Sequence, residues 1–298
     1  MVGSGSSKAV KMHPSSSTLY VVATPIGNLE DISARAIRIL GEVDLMAAED
    51  TRVSRVLLDK YGIKTPMFSC HKYNEGKRGE FFVSQLLLGK NIALISDAGV
   101  PCISDPGFRL VGLAHANGIT VSGVCGPSSV MAALSVSGFD ASCFTFIGFL
   151  PKGGAGKKAL AEMINKGGTY VFFDSPKRIK KTLSAINEIS KEVSVCLCND
   201  LTKRFEKVYH GKISDVLDEV NANDNSEKGE YTCVISSSNQ KVFCGEVTSI
   251  EAQIVDIMVK KGINMKEAAA ELKTQNRKLQ KKQIYSAVLS LKNSLQPI

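Results

Sequence analysis

The sequence predicts an α/β protein made of two α/β domains followed by a small, basic helical extension. Three observations predict it. From Leu19 onward, β-rich apolar runs alternate with amphipathic stretches; a second such set begins after Gly126; and the last fifty residues change to helical periodicity. A chain of 298 residues with 44% hydrophobic content can bury one or two ordinary cores, and its length favours two domains over one. The expected division is a disordered Gly/Ser-rich tail over 1–17, an N-terminal α/β domain over 18–126, a second over 127–240, and the helical extension over 245–298.

In the first domain the strand candidates are Leu19 to Thr24, Asp44 to Glu49, Asn91 to Asp97 and Thr120 to Val124, with a further short strand before His71. Between them Ile32, Ala36, Ile39 and Leu40 recur at helical spacing, as do Phe82, Leu86 and Leu87. The pattern is that of βαβ units on a largely parallel sheet, whose ligands gather outside the C-terminal strand ends. In the second domain a helix over Ser128 to Ser137 precedes strands at Phe144 to Phe149, Tyr170 to Phe173, Val193 to Cys198 and Tyr231 to Ser236. Pro151 through Lys158, with its Gly-Gly-Ala-Gly core, reads as a flexible basic loop.

The extension is expected to start at a capping box of Thr248 and Glu251, with Ile250, Ile254, Ile257 and Met258 on one stripe. Asn264 is placed as the cap of a second helix, and Ile284, Val288, Leu291 and Leu295 line a third. The chain carries a formal charge of +8, and the excess gathers between Lys260 and Lys282, where eight Lys and Arg face only Glu267 and Glu271. Such a cluster fits a polyanionic partner, through release of phosphate counterions, or a solvated helical face. No apolar run approaches the length that spans a bilayer, and no signal-peptide h-region opens the sequence, so cytoplasmic residence without a membrane partner is expected. Eight cysteines without any C-x-x-C, and four scattered histidines, point to reduced thiols and to no metal site.

Chemistry concentrates in the loops. Thr24-Pro25-Ile26-Gly27-Asn28 is a tight turn after the first strand, in which Gly27 lets the backbone approach a ligand or simply makes a turn. Ser96 to Gly107 holds two Asp, two Gly and two Pro in twelve residues, more than a connector needs. Its glycines expose amides and its carboxylates suit hydroxyls or an ammonium; Asp97 and Asp105 also suit capping. Gly126-Pro127-Ser128-Ser129 can cap the following helix, bind a carboxylate, or both. Ala47 to Arg52 and His71 to Glu75 supply further titratable groups at strand ends, where surface ion pairing is the simpler alternative.

In this order LYVVATPIGNLEDIS, AAEDTR, HKYNE, SDAGVPCISDPG, GPSS, FFDSPKR and LTK resemble the bacterial 16S ribosomal RNA (cytidine-2′-O)-methyltransferases of the tetrapyrrole methylase superfamily. The resemblance covers about Leu19 to Ser237 and extends to the helical tail. It implies S-adenosylmethionine bound in a cleft between two α/β domains, a homodimer, and 16S ribosomal RNA or the small ribosomal subunit as partner. Carried over by motif, the cofactor residues would be Pro25, Ile26, Gly27, Asp97, Ala98, Gly99, Val100, Ser128, Ser129 and Phe173. Substrate contacts would be Glu49, Asp50, Arg52, His71 and Asn74. Because a ribose hydroxyl is a poor nucleophile, Asp50 first and His71 second are the candidate catalytic groups. The sequence departs from the family at Asp174, at Lys177 and at Asp200, where Glu, His and Glu are usual. A methylase of small tetrapyrroles and a non-catalytic RNA-binding protein are the alternatives: the first lacks its usual G-x-G-x-G-D turn here, and the second leaves the loops unexplained.

Overall fold

Five parallel strands form the first sheet, in the order β3-β2-β4-β1-β5. They are β1 (Thr18–Val22), β2 (Leu45–Ala48), β3 (Met67–Ser69), β4 (Ile92–Ile95) and β5 (Thr120–Val124). The computed structural model describes residues 17–237, 249–275 and 279–294. The expected tail therefore lies outside the described residues, save Ser17, as do Thr248, Arg277, Lys278 and Leu295. The chain divides into two units, with the break between the described residues Ser237 and Ser249.

Strands β2 and β4 are buried on both faces, which explains their unbroken apolar runs. On one face Met46, Ala48, Ala93 and Ile95 pack against α1 (Ala34–Glu42) and α2 (Thr51–Lys60). On the other, Leu45, Ala47, Ile92 and Leu94 meet α3 (Glu75–Leu87) and α4 (Phe108–Ala116). Helix α1 starts where Ser33 accepts a hydrogen bond from the Ala36 amide, and it buries Ala36, Ile39 and Leu40 as their spacing predicts. On α3 the buried apolar side chains are Phe82, Val83 and Leu86, whereas Leu87 is exposed. Five residues past Phe82, Leu87 is turned about 140° away from it.

The second sheet is mixed. Its order is β6-β7-β10-β8-β9, where β6 (Phe144–Phe149) and β7 (Gly168–Asp174) are parallel. The remaining pairs, among β7, β10 (Tyr231–Ser237), β8 (Ser194–Asn199) and β9 (Lys207–Lys212), are antiparallel. Helix α5 (Ser129–Ser137) covers one face through Val130, Ala133 and Leu134. The other face is covered by α6 (Gly154–Lys166), α7 (Pro176–Ile189) and α8 (Ile213–Asn221). The glycine-rich stretch after Pro151 is not a loop throughout, because α6 begins at Gly154. Gly153 takes φ +63° as its cap, and a Cβ on Gly156 would come 2.2 Å from the Pro151 carbonyl oxygen, so the glycines let the first turn close.

The described residues of the second unit form three helices: α9 (Ile250–Lys261), α10 (Met265–Gln275) and α11 (Lys281–Ser294). Their core is Ile254, Ala268, Ala269, Leu272, Ile284 and Ala287, with Ile250, Ile257, Met258, Val288 and Leu291 packed around it. The cap of α9 is Ser249, whose hydroxyl accepts from the Ala252 amide. Asn264 caps α10 as expected, and Glu267 closes a capping box by accepting from the Asn264 amide at 3.2 Å. The seven described cysteines are free thiols, and no described helix is long and apolar enough to cross a membrane.

One buried carboxylate ties α3 to the long loop after β4. Glu75 Oε1 accepts from the Gly107 and Arg109 amides, both at 2.9 Å, satisfying two donors at the start of α4. Glu75→Ala strands those amides and should cost about 1–3 kcal/mol in urea unfolding; a change within error would show that the cap carries no stability.

Candidate active site

Because β1 lies between β4 and β5, with β2 beside β4, the loops that follow these four strands emerge side by side. The first and third are stitched together. Thr24 and Gly99 exchange two main-chain hydrogen bonds of 2.9 and 3.0 Å, and the Thr24 hydroxyl donates to the Ser96 carbonyl. Gly99 has φ +76°, open to glycine at little cost. Cys102 and Ser104 also take positive φ, 72° and 66°, a strain of about 1–2 kcal/mol each held at the same loop. The second loop joins them where the Asp50 amide donates to Asp97 Oδ1 at 3.0 Å.

Two turns of the second sheet reach over these loops. A Cβ on Gly27 would lie 2.9 Å from the Leu201 carbonyl oxygen and 2.5 Å from Lys203 Cγ, and the Asn28 amide donates to the Thr202 hydroxyl at 3.0 Å. Gly27 thus answers a close approach by protein, whatever ligand lies nearby. Gly148, at φ +68° in the bulge of β6, leaves room for Ser104, whose Oγ would sit 3.0 Å from an added Cβ.

Between these contacts lies a cavity of about 340 Å³. Ile26, Val100, Ile103, Phe149, Phe173 and Leu201 give it apolar walls, and Phe173 packs edge-on against Phe146 and Phe149. Ser128, the cap of α5, and Ser175, the cap of α7, bring two helix N-termini to its lining. Asp105 adds a carboxylate. An aromatic body, an anionic group at helix amides and a cationic or hydroxyl-bearing part can all be met here.

A separate groove of about 580 Å³ is lined by Pro25, Asp50, Arg52, Ser54 and Asp97 among others. Asp50 caps α2 and binds the Arg52 guanidinium through both oxygens, at 3.0 and 2.6 Å, which holds its carboxyl at about 2. Glu49 behaves oppositely. Partial burial and then the charges of Asp105, which lines the cavity, and Asp97, which lines the groove, push its pKa up. Burial likewise raises both of those aspartates. The carboxylates therefore form one repelling group along the junction of cavity and groove.

Of the residues expected to hold a cofactor, Ile26, Ala98, Gly99, Val100, Ser128, Ser129 and Phe173 line the cavity, while Pro25 and Asp97 line the groove and Gly27 meets the Leu201 turn. His71 follows Cys70, whose amide donates to the Ala48 carbonyl, so it stands one strand over from Glu49. Its Nδ1 accepts from the Tyr73 amide at 3.3 Å, which leaves Nε2 as the donor in the neutral ring. Asn74 builds that turn, accepting from the His71 amide and donating to Ser69. Phe149, Ser175 and the stretch Gly229 to Thr232 also line the cavity and were not singled out. Only the FFDSPKR and LTK stretches hinted at that side. Asp174 there is a buried anchor: it binds Arg178 and Thr182, and Arg178 donates on to the Leu150 carbonyl.

Two α/β sheets with a cavity between their loops are the architecture of a class of methylases. The sequence profile of tetrapyrrole (corrin/porphyrin) methylases matches residues 18–217, and the chain belongs to that family and is an enzyme. It is 41% identical over 261 residues to the ribosomal RNA small subunit methyltransferase I of Pseudomonas aeruginosa, covering 86% of this chain and 91% of that protein. A namesake from Mesorhizobium japonicum is 38% identical and covers 99% of this chain and 98% of its own length. Among solved structures, the cobalt precorrin-4 methyltransferase CbiF shares the fold, with TM-score 0.56 and 18% identity over 74% of this chain and 94% of its own. Diphthine synthase does so with TM-score 0.56 and 13% identity over 74% and 90%.

Gly27→Ala forces the Leu201 turn to move. It should cost about 1–3 kcal/mol and lower the melting temperature by a few degrees, about 2–4 °C per kcal/mol. An unchanged melting curve would mean that the two turns do not bear on each other.

Proposed function

We propose that this protein transfers a methyl group from S-adenosylmethionine to the ribose 2′-hydroxyl of a cytidine in 16S ribosomal RNA of the small subunit, acting in the cytoplasm as a homodimer. The observation that carries this is the identity of about 40% along nearly the whole length of relatives named for small-subunit ribosomal RNA methylation. The cavity supports the methyl donor: its apolar walls, two helix N-termini and Asp105 suit a ligand with an aromatic base, a carboxylate and an ammonium.

When bound, S-adenosylmethionine supplies an electrophilic methyl on a sulfonium. Gly99, Val100, Ser128 and Ser129 hold the ligand with amides and hydroxyls, and Ile26 and Phe173 keep water from it. The neighbouring groove takes the ribose. Asp50 acts by position, fixing Arg52 for a phosphate and the Asp97 loop for the cavity, since a carboxyl at about 2 is a weak base. His71 serves as an N–H donor to the substrate, and Asn74 keeps its turn in shape. Proton removal falls to Glu49, whose raised pKa fits that work better and which is coupled to the acids of both depressions.

The test of the reaction offers tritiated S-adenosylmethionine to small ribosomal subunits and, in parallel, to a porphyrin mixture. Digestion to nucleosides and mass spectrometry should place the methyl on a cytidine ribose, and DNA should stay unlabelled for want of a 2′-hydroxyl. Label on a base refutes the ribose; label only in the porphyrin sample refutes the RNA.

Glu49→Gln should lower kcat by about 10²- to 10⁴-fold while leaving the calorimetric affinity for S-adenosylmethionine in place. A raised carboxyl pKa means that the basic form is present above it and is lost as pH falls through it. The acid limb of the kcat profile should therefore lie above the ordinary carboxylate range, and Asp105→Asn, which removes a repelling charge, should move it to lower pH. A limb that stays put in Asp105→Asn removes Glu49 from the role.

A further inference from the structure

The second unit holds a groove of about 820 Å³ between α10 and α11. Its floor is apolar, made by Ala269, Ile284 and Val288. Its walls carry Lys266 and Lys273 from α10 and Lys281, Lys282, Tyr285 and Lys292 from α11. Lys266 and Lys273 are seven residues apart, as are Tyr285 and Lys292, so each helix presents its members on one face. The Tyr285 side chain is not part of the bundle core: the residue is 70% exposed.

Among the described residues no acid lines this groove. Among the described acids of the unit, Asp256 pairs with Lys260, Glu271 with Lys261 and Glu267 caps α10, while Glu251 lies in the first turn of α9, away from the groove lining. Among the described residues none of the five groove lysines has an ion-pair partner, although they converge on one depression. Converging ammonium groups repel one another, and a polyanion relieves that repulsion while it releases counterions.

We infer that the α10–α11 groove is a binding site for single-stranded RNA, with the five lysines on successive phosphates and the Tyr285 ring as a stacking platform for an unpaired base. The inference rests on ribosomal RNA being the substrate and adds a second point of hold on it. A concave groove follows a strand, whereas a bilayer presents a plane. A phenol on the wall among cations is the arrangement that takes a base between phosphates.

The full-length chain and a fluorescein-labelled oligocytidylate make the test, read by anisotropy over a salt series. The double variant Lys281→Gln/Lys282→Gln should flatten the log–log salt dependence by about 1.4, since each single-strand phosphate contact contributes about 0.7. Tyr285→Ala should weaken binding about tenfold, and Tyr285→Phe, which keeps the ring, should bind as the parent does. Lys281, Lys282 and Tyr285 all lie exposed on α11, and unchanged S-adenosylmethionine calorimetry together with unchanged circular dichroism identifies variants that are folded. Affinity and slope equal to the parent's in both the lysine pair and Tyr285→Ala would overturn the site. So would loss, in the same variants, of sedimentation with phosphatidylserine vesicles while oligocytidylate binding persists. Methylation of subunits by the parent chain is scored separately, so failure of the reaction and failure of the groove are distinguishable.

Discussion

Two main-chain hydrogen bonds between Thr24 and Gly99 hold the candidate site in shape. They form because β1 runs beside β4, and they bring the turn after one strand against the loop after the other. From that stitch the remaining contacts follow outward. Asp97 reaches the Asp50 amide on one side, Gly27 receives the Leu201 turn on the other, and Ser104 fills the space that Gly148 leaves. The positive-φ residues Cys102 and Ser104 belong to the same loop, so the strain is borne there.

The separation of cavity and groove gives the loops distinct duties. The cavity has apolar walls with Asp105, Asp174 and Glu230 among its lining, the groove sets Asp50, Arg52 and Asp97 among apolar side chains, and Glu49 is linked electrostatically to both through Asp105 and Asp97. Burial first, and like charges after it, make Glu49, Asp97 and Asp105 hold their protons more strongly, while Arg52 has the reverse effect on Asp50. Neighbouring acids in one short segment, Glu49 and Asp50, therefore differ in proton affinity because of what faces them. This is the physical basis for dividing proton transfer from positioning.

Much of this was legible in the sequence. The spacing of Ala36, Ile39 and Leu40, the caps Ser128 and Asn264, and the density of Asp, Gly and Pro after β4 each correspond to a feature of the fold. What stayed hidden depends on partners far away in the chain. Nothing local distinguishes a glycine that meets a ligand from Gly27, which meets Leu201, nor an acid that caps its own helix from Glu75, which caps α4 from α3. Edge strand β9 escaped because Lys207 to Lys212 offers almost no apolar alternation, and α6 escaped because its first turn is written in glycine. The Thr248 cap illustrates the usual slip of a residue at a helix end, the hydroxyl used being that of Ser249.

The most direct test of this account is a crystal structure with S-adenosylhomocysteine, the demethylated form of the donor. Density is expected in the cavity bounded by Gly99, Ser128 and Phe173, with the sulfur turned toward the Glu49 side where the groove opens. Density lying in the groove between Asp50 and Asp97, with the cavity holding only water, would contradict it.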